Sequence, residues 1–110
     1  MTLKVKAWQT FGNWIKERDN WTCVTCGSKN EIQAGHFFHA VLDFDEDNIS
    51  AQCKKCNHFL SGNLAVYSTY LINKLGLKKF KALDKRHYLA MRGEYRTPED
   101  YKALIEKYAL

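Results

Sequence analysis

Two cysteine pairs with the same internal gap, Cys23-x-x-Cys26 and Cys53-x-x-Cys56, constrain this chain more than anything else in it. Paired thiols set 26 residues apart suit tetrahedral ligation of one zinc ion, and a loop closed in that way organises whatever lies between its ends. A redox pair, or an iron site of the rubredoxin kind, takes the same thiols and stays open at this point. Disulfides fit less well. The opening MTLKVKAW lacks the apolar core of a secretory signal, and a reducing cytosol keeps thiols reduced. No apolar run approaches the ~20 residues of a membrane span, so the expectation is a cytoplasmic protein with no membrane partner. With either metal, four protein ligands leave no open coordination position. Such a site is structural, and any chemistry has to lie elsewhere.

A chain of 110 residues allows one domain, and 45% hydrophobic residues argue against disorder. Three parts are expected: an N-terminal helix over 1–20, a metal-stapled core over 21–62, and a helical, basic part over 63–110. In the first, Val5, Trp8, Phe11 (or Gly12) and Ile15 recur at helical spacing behind Thr2, a candidate N-cap. WTCVTCGSKN reads as a knuckle in which Gly27 supplies a positive φ. EIQAGHFFHA then alternates as a strand, with Ile32, Ala34, His36 and Phe38 on one face, and a long acidic connection leads to a second strand, ISAQC. KKCNHFLSGN suits a short helix. Asn63 is placed to cap the next helix, with a stripe of Leu64, Tyr67, Leu71 and Leu75 and a stop at Gly76. A basic helical stretch follows to about Gly93. Thr97-Pro98-Glu99-Asp100 opens a last helix that buries Tyr101, Leu104, Ile105 and Tyr108.

Charge is unevenly spread. Residues 1–73 carry 7 basic and 7 acidic side chains, whereas residues 74–110 carry 10 and 5, so the C-terminal third holds the whole net charge of +5. Lys74, Lys78, Lys79, Lys81, Lys85, Arg86 and Arg92, interleaved with Phe80, His87 and Tyr88, suit contacts to nucleic-acid phosphates, although a solvated helix face would look the same.

Between and after the cysteine pairs the order is CVTC, then Gly35-His36, then Asp47-Asn48, then CKKC followed by Asn57. That order resembles the HNH, or ββα-metal, endonucleases. The stretches GHFFHA, FDEDNISAQCKKCN and SGNLAVYSTYLINKLG more narrowly resemble the phage NinG (Rap) recombination endonuclease family, over roughly residues 21–76. The resemblance implies an α+β fold with a zinc-stapled ββα-metal core and a short β-hairpin, flanked by an N-terminal helix and two to three C-terminal helices. It also implies a phage-encoded, metal-dependent endonuclease acting in the bacterial cytoplasm on branched DNA such as D-loops and four-way junctions. By position, His36 would be the general base, Asn48 the organiser of the loop and Asn57 a ligand of a catalytic Mg2+ or Mn2+. Cys23, Cys26, Cys53 and Cys56 would hold structural Zn2+. Lys74, Lys78, Lys79, Lys81, Lys85 and Arg86 would bind DNA.

The chemistry is consistent with those roles. A neutral imidazole can take a proton from water, and an amide oxygen is a hard donor for a divalent ion. A backbone carbonyl of the loop that Asn48 holds could orient the His36 ring. Paired cuts across a four-way junction would call for a homodimer, with aromatics and leucines of the first and last helices as the candidate surface. The rival is a zinc-ribbon module that binds nucleic acid without cutting it. Many nucleases of the wider class place an acid before the base, where this chain has Gly35. Asp43, Asp45, Glu46 or Asp47 could supply the missing carboxylate, or form a solvated loop, and Gly35→Asp is expected to tighten metal binding.

Overall fold

The computed structural model describes residues 1–91 and 93–110, so Arg92 of the basic stretch lies outside the described residues. The order is α1 (Leu3–Arg18), β1 (Ile32–His36), β2 (Ile49–Cys53), a one-turn π-type helix (Lys55–Phe59), α2 (Leu64–Ala90) and α3 (Pro98–Tyr108). This is an α+β arrangement in which helices cover a two-stranded antiparallel hairpin.

Thr2 caps α1 as expected, its hydroxyl oxygen accepting from the Val5 N–H at 3.1 Å. The buried stripe starts later than the sequence suggests. Val5 is 45% exposed, and Ala7, Phe11, Gly12 and Ile15 face inward. Gly12 faces β1, where a Cβ would meet the Ala34 Cβ at 3.7 Å, an ordinary contact.

The hairpin pairs Ile32 with Cys53 through to His36 with Ile49. β1 ends at His36, so Phe38 does not continue its face: the chain bends away, with positive φ at Ala40 and Leu42. All five residues of β2 are buried. Ile49 packs with Phe11, Ile15 and Tyr108 beneath α1 and α3, while Ser50 and Gln52 face the opposite side, where the Tyr67 hydroxyl donates to the Gly35 carbonyl at 2.9 Å. Small and amide side chains let ISAQC lie between two layers.

Asn63 precedes α2 but caps it differently from expectation. Its backbone is left-handed (φ 49°), its carbonyl accepts from Tyr67 N–H, and its side-chain amide turns back to Cys56 Sγ at 3.7 Å. Leu64 stays 43% exposed, and the inward stripe begins at Tyr67. Gly76 breaks the helix at φ 79°, ψ 160°, a conformation essentially confined to glycine, so residues 64–75 and 77–90 are two rods. The bend lets Leu71 and Leu83 share one cluster with Leu42 and Tyr67.

Thr97 and Asp100 form the expected capping box on α3, with Pro98 in its first turn. Tyr108 is buried against α1, its ring 4.7 Å from Phe11 and 5.0 Å from Trp14, while Tyr101, Leu104 and Ile105 are half-buried. Much of the aromatic surface considered for a homodimer is thus spent joining the first helix to the last. No helix among the described residues is long and apolar enough to cross a membrane.

Candidate functional site

The four cysteines come together from three elements: Cys23 and Cys26 from the knuckle, Cys53 from the end of β2 and Cys56 from the π-type turn. Their sulfurs all lie within 4.8 Å of one another, with Cys26 and Cys53 at 3.5 Å. Zinc–sulfur bonds of ~2.3 Å in a tetrahedron place sulfurs at such spacings, so the cluster is compatible with structural zinc. Gly27 has the positive φ expected of the knuckle (81°). Around the sulfurs, Cys56 N–H donates to Cys53 Sγ at 3.5 Å, and Thr25 Oγ1 lies 3.2 Å from Cys23 Sγ. Burial raises the Cys23 thiol, but hydrogen bonds from the Thr25 hydroxyl and nearby backbone outweigh it and bring it down to about 6. The backbone hydrogen bond at Ser28 lowers the Cys26 thiol, yet partial burial and the three facing sulfurs push it up to about 12. Four thiolates repel one another, and a dication removes that conflict.

His36 closes β1 beside the long connection. Its ring stacks on Trp8 of α1, centroids 5.4 Å apart, and its Nε2 lies 2.9 Å from Asp43 Oδ1. An ionised carboxylate only accepts, so Nε2 carries the proton and, in the neutral ring, Nδ1 keeps the lone pair.

Asp43 is presented by a loop that Asn48 holds from inside. Asn48 is fully buried. Its Oδ1 accepts from Phe38 N–H at 2.8 Å, and its Nδ2 donates to the carbonyls of Phe38 (3.1 Å), Val41 (3.1 Å) and Leu42 (3.3 Å). Asn48 thus ties together the backbone at Phe38, Val41 and Leu42. The group that orients the histidine differs from expectation, being a side-chain carboxylate rather than a loop carbonyl.

Asn57 follows Cys56 in the π-type turn and donates through Nδ2 to Gln33 Oε1 of β1 at 2.8 Å. It lines a cleft of about 510 Å³ between α1 and β1, together with Trp8, Asn13 and Lys16. Gly35 explains itself sterically. A Cβ there would fall onto Gln52 Oε1 and lie 2.9 Å from Asn57 Oδ1, so no acid fits without moving buried Gln52. The expectation that Gly35→Asp tightens metal binding is thereby corrected: the substitution collides with the hairpin.

The acidic loop is neither a solvated run nor a carboxylate cage. Asp43 takes His36, Asp45 and Asp47 take Arg86 (2.8 and 3.3 Å), and Glu46 accepts from the Tyr108 hydroxyl at 2.7 Å. Among the described residues, the cysteines are the one convergent group of three or more His, Cys, Asp or Glu side chains. Arg86 therefore ties the loop to α2. Lys74 lies 3.9 Å from Asp19, and burial together with the Arg18 charge lowers its ammonium pKa. Lys78, Lys79, Lys81 and Lys85 are exposed, with no carboxylate in ion-pair range among the described residues.

A family model described as Bacteriophage Lambda NinG protein matches residues 2–110. The chain belongs to the NinG family. It is similar to protein ninG of Escherichia phage 933W (35% identity over 111 residues), of Salmonella phage P22 (34% over 110) and of Escherichia phage lambda (33% over 111). Each alignment covers 94% of this chain and 53, 52 and 52% of the respective relative, so the chain spans about half the length of the curated relatives it matches. No solved structure matches it.

Within this NinG chain, sequence reasoning passes over the parts that act through other residues. Trp8 reads as one member of a core stripe, and nothing in its spacing announces a stack on His36. Tyr67 reads as a member of another such stripe, although its hydroxyl supports the Gly35 carbonyl and burial pushes that phenol well above its usual range, keeping it a donor. Gln52 carries one legible signal: a long amide in a strand otherwise built of small and apolar side chains.

Proposed function

We propose that this chain is a metal-dependent endonuclease of the HNH, ββα-metal type that hydrolyses phosphodiester bonds in branched DNA. One observation carries the reading: an imidazole at the end of a hairpin strand, with Nε2–H held by Asp43, on a loop clamped by buried Asn48. Holding Nε2–H on a carboxylate leaves Nδ1 as the basic nitrogen of the ring, which a merely structural histidine does not need. The order of hairpin and Asn57-bearing turn supports the same class, as does the NinG resemblance to recombination endonucleases.

In this reading His36 Nδ1 takes the proton of the attacking water, Asp43 fixes the ring and stabilises the imidazolium, and Asn48 holds the loop that carries Asp43. Asn57 Oδ1 is the hard oxygen available to Mg2+ or Mn2+. What such an ion supplies when bound is charge neutralisation on the phosphate and the leaving oxygen. Zn2+ on the four cysteines takes no part in the reaction. Opposed cuts on a four-way junction further require a second copy of the chain.

The test is incubation of zinc-loaded protein with labelled linear, forked and four-way DNA in Mg2+, Mn2+ or neither. The expected result is cleavage of the branched substrates only with added metal. Binding without cutting in every condition would favour the non-catalytic zinc-ribbon module.

Lys78, Lys79, Lys81 and Lys85 supply the free cationic surface in this reading. Changing Lys78, Lys79 and Lys81 together to Ala is expected to flatten the dependence of log affinity on log salt by ~0.7 to 0.9 for each phosphate that is no longer neutralised. An unchanged slope in a filter-binding or anisotropy titration would show that these lysines only solvate the helix.

A further inference from the structure

We infer that the side-chain oxygen of Gln52 is a ligand of the divalent ion, standing where this chain lacks an acid at position 35. The inference rests on the nuclease reading for the ion's purpose, but its basis is a separate set of contacts.

Gln52 is fully buried, and its Nε2 is committed twice, to the Gly62 carbonyl at 2.8 Å and to Thr25 Oγ1 at 3.2 Å. A backbone carbonyl can only accept, so the amide cannot be turned over, and Oε1 points away from both partners. That oxygen has no hydrogen-bond partner and, among the described residues, is one of two buried side-chain polar atoms left so, the other being Ser50 Oγ. An unpaired buried acceptor costs ~1 to 3 kcal/mol, which coordination to a cation would recover.

Gly35 makes the room in which this oxygen sits. Gln52 Oε1 occupies the volume a side chain at position 35 would fill, and Asn57 Oδ1 lies 2.9 Å from the point where its Cβ would stand. Asn57 has likewise committed its Nδ2, to Gln33. Two amide oxygens, each with its own NH2 group tied elsewhere, therefore converge beside the residue that precedes His36. Amide oxygens are ligands that Mg2+ and Mn2+ accept, and neither carries a charge. Such a pair binds weakly alone and gains strength when a phosphate completes the shell. Asn57 also borders the cleft that holds Lys16, which gives that phosphate a route of approach and a counter-charge. Glycine at 35 is then required, because any Cβ would displace the ligand.

The experiment uses 15N-labelled, zinc-loaded protein titrated with MnCl2 and read by NMR. The side-chain NH2 signals of Gln52 and Asn57 are expected to broaden first, ahead of the backbone amide signals of α3, and excess MgCl2 is expected to restore them. Gln52→Met keeps the length and removes the oxygen. If it retains zinc and its melting temperature, the Mn2+ concentration that half-broadens Asn57 should rise at least ~10-fold. If it does not fold, Asn57→Asp is read instead through the Gln52 NH2 signal, and the added charge beside Gln52 Oε1 should lower the Mn2+ concentration that half-broadens that signal by ~10-fold.

Broadening centred on residues 43–47, or an unmoved midpoint in the folded variant, would overturn the assignment. The DNA assay keeps the two proposals apart. Cleavage in Mn2+ with Gln52 signals intact removes this ligand and leaves the nuclease, whereas broadening without cleavage of any substrate does the reverse.

Discussion

Cys53→Ser is expected to leave the chain without a cooperative fold. Cys53 is the last residue of β2 and stands just before the turn that carries Cys56 and Asn57, so its sulfur joins the hairpin to everything after it. The packing around it is thin. The cysteines themselves form the third buried cluster, with Ile32 the one hydrophobic side chain packed against it among the described residues. Apparent binding energies of structural zinc reach ~10 kcal/mol or more, the size of the whole stability of an ordinary domain. Losing one thiolate also leaves three sulfurs facing one another without a full shell. The measurements are zinc content and a thermal melt followed by circular dichroism. Wild type should carry one zinc and melt in a single transition, and stripping that zinc with a chelator should reproduce the variant. A Cys53→Ser protein that melts cooperatively near the wild-type temperature would show that the two hydrophobic clusters suffice alone.

What can be read in advance divides along physical lines. Covalent spacing and local backbone chemistry are legible. The cysteine gaps, the Thr97-Pro98 start of α3, the Thr2 cap and the glycine at 76 each act over a few residues, and each stands where its neighbours place it. Long-range partnership is not legible. Four acids in a short loop look alike in a sequence, yet one takes a histidine, two take Arg86 from 39 and 41 residues away, and one takes a tyrosine 62 residues away. Asn63 and Val5 show the same limit at shorter range. A capping residue and an apolar stripe are propensities, and tertiary contacts turn the Asn63 side chain toward a sulfur and leave Val5 near the surface. Gly35 reads in the sequence as an absence, a missing acid. Its meaning depends on Gln52, 17 positions on, whose side chain fills the space it leaves.

His36→Ala is expected to lower DNA cleavage by ~10²- to 10⁴-fold, the usual worth of a single general base. Binding and folding should change little. The side chain is 22% exposed, and its contacts are the stack on Trp8, worth ~0.5 to 1.5 kcal/mol at most, and the bond to Asp43. An interaction made only in the transition state appears as a loss of kcat with KM unmoved, which separates the base from a residue that merely holds substrate. Asp43→Asn sharpens the test, because an amide oxygen can still accept from Nε2–H and keep the ring in place but cannot stabilise the imidazolium. Its activity should therefore fall between wild type and His36→Ala, with DNA affinity intact. If His36→Ala kept more than about a tenth of the activity, well above the range for a lost base, the proton would have to leave by another route. In that event the His36–Asp43 pair would be one more tie between β1 and the loop that Asn48 holds.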